Sequence, residues 1–213
     1  MQNINKGKIL KVTDIIACKD KQTISKKLYS KNDCWISLFS FDKETDISEE
    51  YYDQAKIYFV LNGKVKIADN ILATNMAICL AADKPFGISS IAKSIILEIT
   101  IKLEEDEMHN IVKGKQIELK KIIDYVDESI ANIDLVTKSD LKMMVLAFDA
   151  GQSLSPHKAK GDALLIPLEG KAKVKVDSEV YEIKEGEQIV LPKDVMHDVQ
   201  AVTKFKMLII LTM

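Results

Sequence analysis

Apolar and polar residues alternate along Lys171-Ala-Lys-Val-Lys-Val176, which predicts a strand with Ala172, Val174 and Val176 facing a core and the lysines facing water. Strand-like runs of four to eight residues recur along the chain. In the first half they are Cys34 to Phe41, Lys56 to Leu61, Lys64 to Ala68, Met76 to Ala81 and Ser94 to Ile101. In the second they are Lys142 to Phe148, Ala163 to Leu168, Ala172 to Val176, Glu179 to Ile183, Gln188 to Leu191 and Lys206 to Leu211. Asn62-Gly63, Glu169-Gly170 and Glu185-Gly186 supply turns between them. Helical periodicity is confined to two short segments, Leu10 to Ile16 and Ile117 to Tyr125. In the second of these, Leu119, Ile122, Ile123 and Val126 recur at spacings of three and four, enough for one or two amphipathic turns. Many short strands with regular turn signals predict an all-β sandwich or barrel.

The pattern occurs twice. Gly7-Lys8 returns as Gly114-Lys115, Phe41-Asp42 as Phe148-Asp149, and Leu61-Asn-Gly63-Lys64 as Leu168-Glu-Gly170-Lys171, always 107 residues later. The offset grows to 111 at Leu80 and Leu191 and at Leu97 and Leu208, so the second copy holds a few more residues in the hairpin around Asp177 to Gly186. The expected organisation is an N-terminal barrel over 1–103, a charged linker over 104–116 and a C-terminal barrel over 117–213, each barrel preceded by its short helical segment. His109, within Glu-Asp-Glu-Met-His-Asn, reads as a solvated linker residue.

Composition narrows the function classes. With 213 residues, 47% hydrophobic and 29% charged, the chain can bury a large core without disulfides or structural zinc. A net charge of -2 with no long run of one sign gives no basis for a nucleic-acid or anionic-membrane partner. The longest apolar runs, such as Met207 to Leu211, are too short to span a bilayer, and the N-terminus shows no signal-peptide pattern. Cys18, Cys34 and Cys79 are scattered and odd in number, which points to reduced thiols and a cytoplasmic location.

Candidate chemistry lies in the second copy. Gly151, His157 and Gly170 form one spaced set, and Gly186, Pro192 and His197 form another with the spacing G-x5-P-x4-H. These sets resemble the two motifs of the cupin family, G-x5-H-x-H-x3-E-x6-G and G-x5-P-x-G-x2-H-x3-N. The tail Phe205-Lys-Met-Leu-Ile-Ile-Leu resembles the strand that closes a cupin module. The resemblance covers the second copy and, through the repeat, nearly the whole chain, which is therefore similar to a bicupin of two double-stranded β-helix (jelly-roll) barrels. It implies that His157 and His197 project inward from neighbouring strands, and that a full metal set would need two further ligands. Those two positions are Ala159 and Ala163, and Asp194 stands at the second-motif glycine. Asp162 has the wrong parity to point inward. In the first copy the equivalents of His157, Ala159, Ala163 and His197 are Glu50, Tyr52, Lys56 and Phe86, which leaves no metal set there.

Three functions follow as expectations. The first is a protein binding an unknown small molecule in the C-terminal barrel. The pocket is expected to be lined by His157, His197, Met144, Phe148 and Met196. His157 and His197 either share one weakly held divalent ion (zinc, iron, nickel or copper) or meet in a metal-free pocket. The second is a metal-dependent dioxygenase or isomerase using the same pair. The third is a structural or interaction module, with a homodimer formed through open sheet edges.

Overall fold

The computed structural model describes residues 1–213, the side chain of Glu105 excepted. In the first repeat the strands are β1 (Ile9–Leu10), β2 (Thr23–Lys31), β3 (Cys34–Phe41), β4 (Asp46–Glu50), β5 (Ala55–Asn62), β6 (Lys64–Ile67), β7 (Asn70–Ala73), β8 (Met76–Leu80), β9 (Phe86–Ser90) and β10 (Ser94–Ile101), with helix α1 (Val12–Ile15) after β1. The second repeat gives β11 (Gln116–Glu118), β12 (Ile130–Thr137), β13 (Leu141–Phe148), β14 (Ser153–Lys158), β15 (Asp162–Glu169), β16 (Lys171–Val176), β17 (Glu179–Lys184), β18 (Gln188–Leu191), β19 (Met196–Ala201) and β20 (Phe205–Thr212). The architecture is all-β, as the alternation predicts.

Each strand of the first repeat has its counterpart ten numbers later. The sheets run β11-β8-β5-β10-β3-β2 and β4-β9-β6-β7 in one unit, and β1-β18-β15-β20-β13-β12 and β14-β19-β16-β17 in the other. A six-stranded and a four-stranded antiparallel sheet thus make up each unit. The four residues by which the repeats differ are spent on strand length: β6 and β7 have four residues each, whereas β16 and β17 have six.

The units do not divide at the expected boundaries. One comprises Met1, 3–11 and 119–213, and the other Gln2 and 12–118. The leading strands are exchanged. Ile9 and Leu10 pair with Ile189 and Gln188 of β18, whereas Gln116, Ile117 and Glu118 pair with Ile78, Ala77 and Met76 of β8. Residues 3–11 therefore complete the larger sheet of the C-terminal barrel instead of opening the N-terminal one. Helix is also scarcer than the spacing predicts. Only Val12–Ile15 is α-helical in the first segment, and only Leu119–Lys121 forms a 3-10 turn in the second. Each segment spends its hydrogen bonds on β pairing first, and so short a remainder cannot sustain a helix.

The second barrel's core lies between its two sheets. Ala163, Leu165, Ile189, Leu191, Phe205 and Met207 come from the larger sheet, and Ala172, Val174, Val176, Ile183, Val199 and Ala201 from the smaller. Strand β16 shows the simple case, its lysines exposed and Ala172, Val174 and Val176 buried. Strands β5 and β15 are buried over nearly their whole length, which is why they read as continuous apolar runs.

Gly170 sets the tight turn from β15 to β16. Its φ is +77°, and a Cβ there would lie 1.9 Å from the carbonyl oxygen of Lys204. Gly63 repeats the arrangement in the first unit, at φ +90° and 2.3 Å from the carbonyl of Lys93. Gly186 has a similar φ of +85° but open space where a Cβ would go. Gly186→Ala should therefore lose only the left-handed backbone preference, about 1 kcal/mol. Gly170→Ala should lose roughly 2 to 4 kcal/mol, because backbone must also shift. Urea unfolding of the two variants checks this, and equal losses would show that the close approach is unimportant.

Candidate small-molecule site

Strands β14 and β19 are antiparallel neighbours, and their register sets His157 directly opposite His197. A bulge between Leu154 and His157 breaks the period of two just before the histidine and re-aims it. The ring centroids lie 4.5 Å apart with planes inclined at 62°. The Nδ1–H of His157 donates to the Ser155 carbonyl at 2.9 Å, and that of His197 to the Val195 carbonyl at 2.9 Å. A carbonyl only accepts, so each Nδ1 carries a proton, and in the neutral ring the lone pair is then on Nε2. His157 is exposed, whereas His197 is 4% exposed. Burial lowers the His197 pKa below its ordinary 6.5. The Val195 carbonyl opposes that shift, His157 adds to it, and Asp198 offsets part of it.

The two imidazoles border a cavity of about 250 Å³. Met144 and Leu146 of β13, Leu165 of β15, Val199 of β19, and Ile209 and Leu211 of β20 supply most of its aliphatic wall. Ala159 and Ala163 also line it, so the two remaining motif positions do converge on the histidines, with methyl groups in place of donor atoms. No charged side chain is among the lining residues. Asp162 is engaged elsewhere, with Lys6 Nζ at 2.7 Å and the Lys193 backbone N–H at 3.0 Å. Asp194, at the motif's glycine, adopts φ +60°, and its N–H bonds the Ala159 carbonyl at 3.0 Å.

Of the five expected pocket residues, the structure brings His157, His197 and Met144 together. Phe148 faces inward from the same strand but is fully buried in the core, 5.9 Å from the Phe205 ring and beyond the cavity. Met196 is 43% exposed and lies outside the cavity lining, because the residue before His197 falls on the opposite face of β19. That parity, applied to His197 and Met144, would have found Val199 and Leu146 instead.

The equivalent space in the first unit is filled. Glu50 stands opposite Phe86 across a matching bulge. The Phe86 ring lies 4.7 Å from Tyr52 and 6.0 Å from Tyr58. Lys56 Nζ sits 4.3 Å above the Tyr52 ring, and bonds Glu98 at 3.1 Å and Thr100 Oγ1 at 3.0 Å. Tyr58 donates to Glu98 at 2.8 Å. Burial first, then Glu98, raises the Tyr58 pKa far above its ordinary value, so the hydroxyl stays a donor. By the repeat offsets, Tyr52, Lys56, Tyr58, Phe86, Glu98 and Thr100 correspond to Ala159, Ala163, Leu165, His197, Ile209 and Leu211. Six of the twelve positions that line the open cavity thus carry an aromatic and ionic plug in the first unit.

A cupin domain is matched over residues 144–212. The structure of a cupin 2 conserved barrel domain protein from Leptotrichia buccalis superposes with a TM-score of 0.85 at 30% identity, covering 99% of this chain and 98% of that one. The chain belongs to the cupin family. A salicylate 1,2-dioxygenase from Pseudaminobacter salicylatoxidans is similar in fold at 12% identity, with a TM-score of 0.62 over 84% of this chain and 71% of that one. A comparison with curated proteins finds no match.

The donor set does not fit a firmly held metal ion. His157 and His197 supply two nitrogens where catalytic zinc sites, for example, use three protein ligands. Among the described residues no group of three or more His, Cys, Asp or Glu could hold one.

Two predictions follow from this geometry. Lys56→Met leaves the nearly buried Glu98 without its cation and should destabilise the protein by about 3 kcal/mol, whereas Lys56→Met with Glu98→Leu and Tyr58→Phe, which leaves no buried hydroxyl unpaired, should recover much of the loss. Thermal unfolding of both variants checks this, and an equal loss in the single and the combined variant would contradict it. His197 should titrate below 6.5 in a proton NMR experiment and move upward in His157→Ala. Its contribution to stability is full above the unfolded value and is lost as pH falls through the lowered folded value. An unshifted His197 would contradict the burial argument.

Proposed function

We propose that the chain is a bicupin whose C-terminal barrel binds a small organic molecule without catalysing its conversion. The observation that carries this reading is the cavity itself: apolar, bordered by two imidazoles, and carrying alanine at both remaining motif positions. Apolar cavities with a few convergent polar groups are the usual form of a small-molecule site. The first barrel keeps the register and fills the space, which suits a structural role. Free thiols at Cys18, Cys34 and Cys79 support a cytoplasmic setting, and no described helix is long and apolar enough to cross a membrane. Strands β2 and β12 end their sheets, and association of two copies through such edges is the partner we propose beside the small molecule.

One observation favours a metal-dependent enzyme as the second reading. Both imidazoles are oriented by Nδ1–H bonds to carbonyls, the arrangement usual for ligating histidines. A divalent zinc, iron, nickel or copper ion would then share the two Nε2 atoms, with solvent completing its shell.

Elemental analysis of gently purified protein separates the two. The first reading expects metal well below one equivalent, with ligand-induced thermal shifts that survive chelator treatment and vanish in the cavity-filling Ala163→Leu. One equivalent of metal that His157→Ala and His197→Ala both remove would replace it with the second.

A further inference from the structure

The class of molecule can be named from the walls of the same cavity, and the inference rests on the small-molecule reading above. We infer that the occupant is a neutral, single-ring hydroxyl compound of the phenol class, donating its O–H to Nε2 of His197.

Size comes first. An apolar cavity of about 150 Å³ takes benzene, so one of about 250 Å³ has room for one ring with a short substituent. Head-group chemistry follows from the hydrogen bonds already made. With Nδ1 committed to the Val195 carbonyl, His197 can only accept at Nε2. His197 is 4% exposed and lines the cavity, so a ligand seated there would shut water out from its ring, and one that brought no donor to this lone pair would leave a desolvated acceptor behind. His157 is exposed, so its ring can meet solvent without help from a ligand. The site therefore asks for one donor at the deeper histidine and an apolar body beyond it.

Charge then removes the neighbouring classes. A carboxylate would bring acceptor oxygens against two lone pairs, with no Lys or Arg among the lining residues to offset them. An ammonium would lose its hydration with no Asp or Glu in the lining to pair it. A bare hydrocarbon fits the walls and wastes the acceptor. A hydroxyl satisfies each of these conditions.

The experiment is calorimetric titration of the full chain at pH 8 with p-cresol, toluene, benzoate and benzylamine. p-Cresol should bind, with toluene about tenfold weaker for want of one hydrogen bond and both charged compounds weaker still. His197→Leu should erase the preference of p-cresol over toluene, whereas His157→Ala should preserve it. Ala163→Leu should abolish binding of both. If His197→Leu fails to fold by circular dichroism, the four-ligand ranking on the unaltered protein decides alone. Toluene binding as tightly as p-cresol, or benzoate binding more tightly, overturns the hydroxyl assignment while the small-molecule reading stands. Undiminished binding in Ala163→Leu overturns the assignment to this cavity, and failure of all four to bind overturns both readings.

Discussion

Pairing across β14 and β19, and across β4 and β9, decides which side chains enter each barrel. In each unit one bulge slips the edge strand just before the critical residue, so that 157 meets 197 and 50 meets 86. A one-residue change of register would turn these side chains to the opposite face and destroy both the cavity and the plug. Backbone hydrogen bonds enforce this geometry whatever the side chains are. The interior can therefore be rewritten while the frame stays the same.

The two barrels show two ways of treating the same interior space. The first fills it with large side chains whose polar atoms satisfy one another: an ammonium over a ring, a carboxylate shared by Lys56, Tyr58 and Thr100, and a phenylalanine against two tyrosines. Such a network is stable only when complete, because any unpaired member would be a desolvated polar group. The second uses small and aliphatic residues at the same positions and leaves room. Buried His197 remains the polar atom source in that room, with its outer neighbour His157 in contact with solvent.

Much of this was legible in the sequence, and the exceptions have physical causes. The runs Cys34 to Phe41, Ser94 to Ile101 and Gln188 to Leu191 match β3, β10 and β18 at both ends, because buried strands carry strong apolar signals. Strands β2 and β12 were not legible. Both lie at sheet edges, both contain bulges that break the alternation, and β2 carries four polar residues among its first five. Strand β14 contains Pro156 and is almost wholly exposed, which an edge position tolerates and a pattern of buried residues cannot reveal. The histidine pair was readable because its spacing is a motif. The rest of the wall was not, because strand parity keeps Met196 and depth keeps Phe148 out of the cavity.

The exchanged leading strands bear on how the chain comes to be folded. A ribosome releases Ile9 and Leu10 early, yet their partners on β18 emerge nearly the whole chain later. The first repeat, meanwhile, waits for β11 from the start of the second to complete its larger sheet. Neither sheet can be finished by its own repeat alone. Closing such long intervals slows folding and exposes unpaired edges while it lasts. The first barrel therefore becomes complete only once β11 has emerged, about midway along the chain, whereas residues 3–11 must wait unpaired until β18 is made, so each repeat depends on a strand supplied by the other.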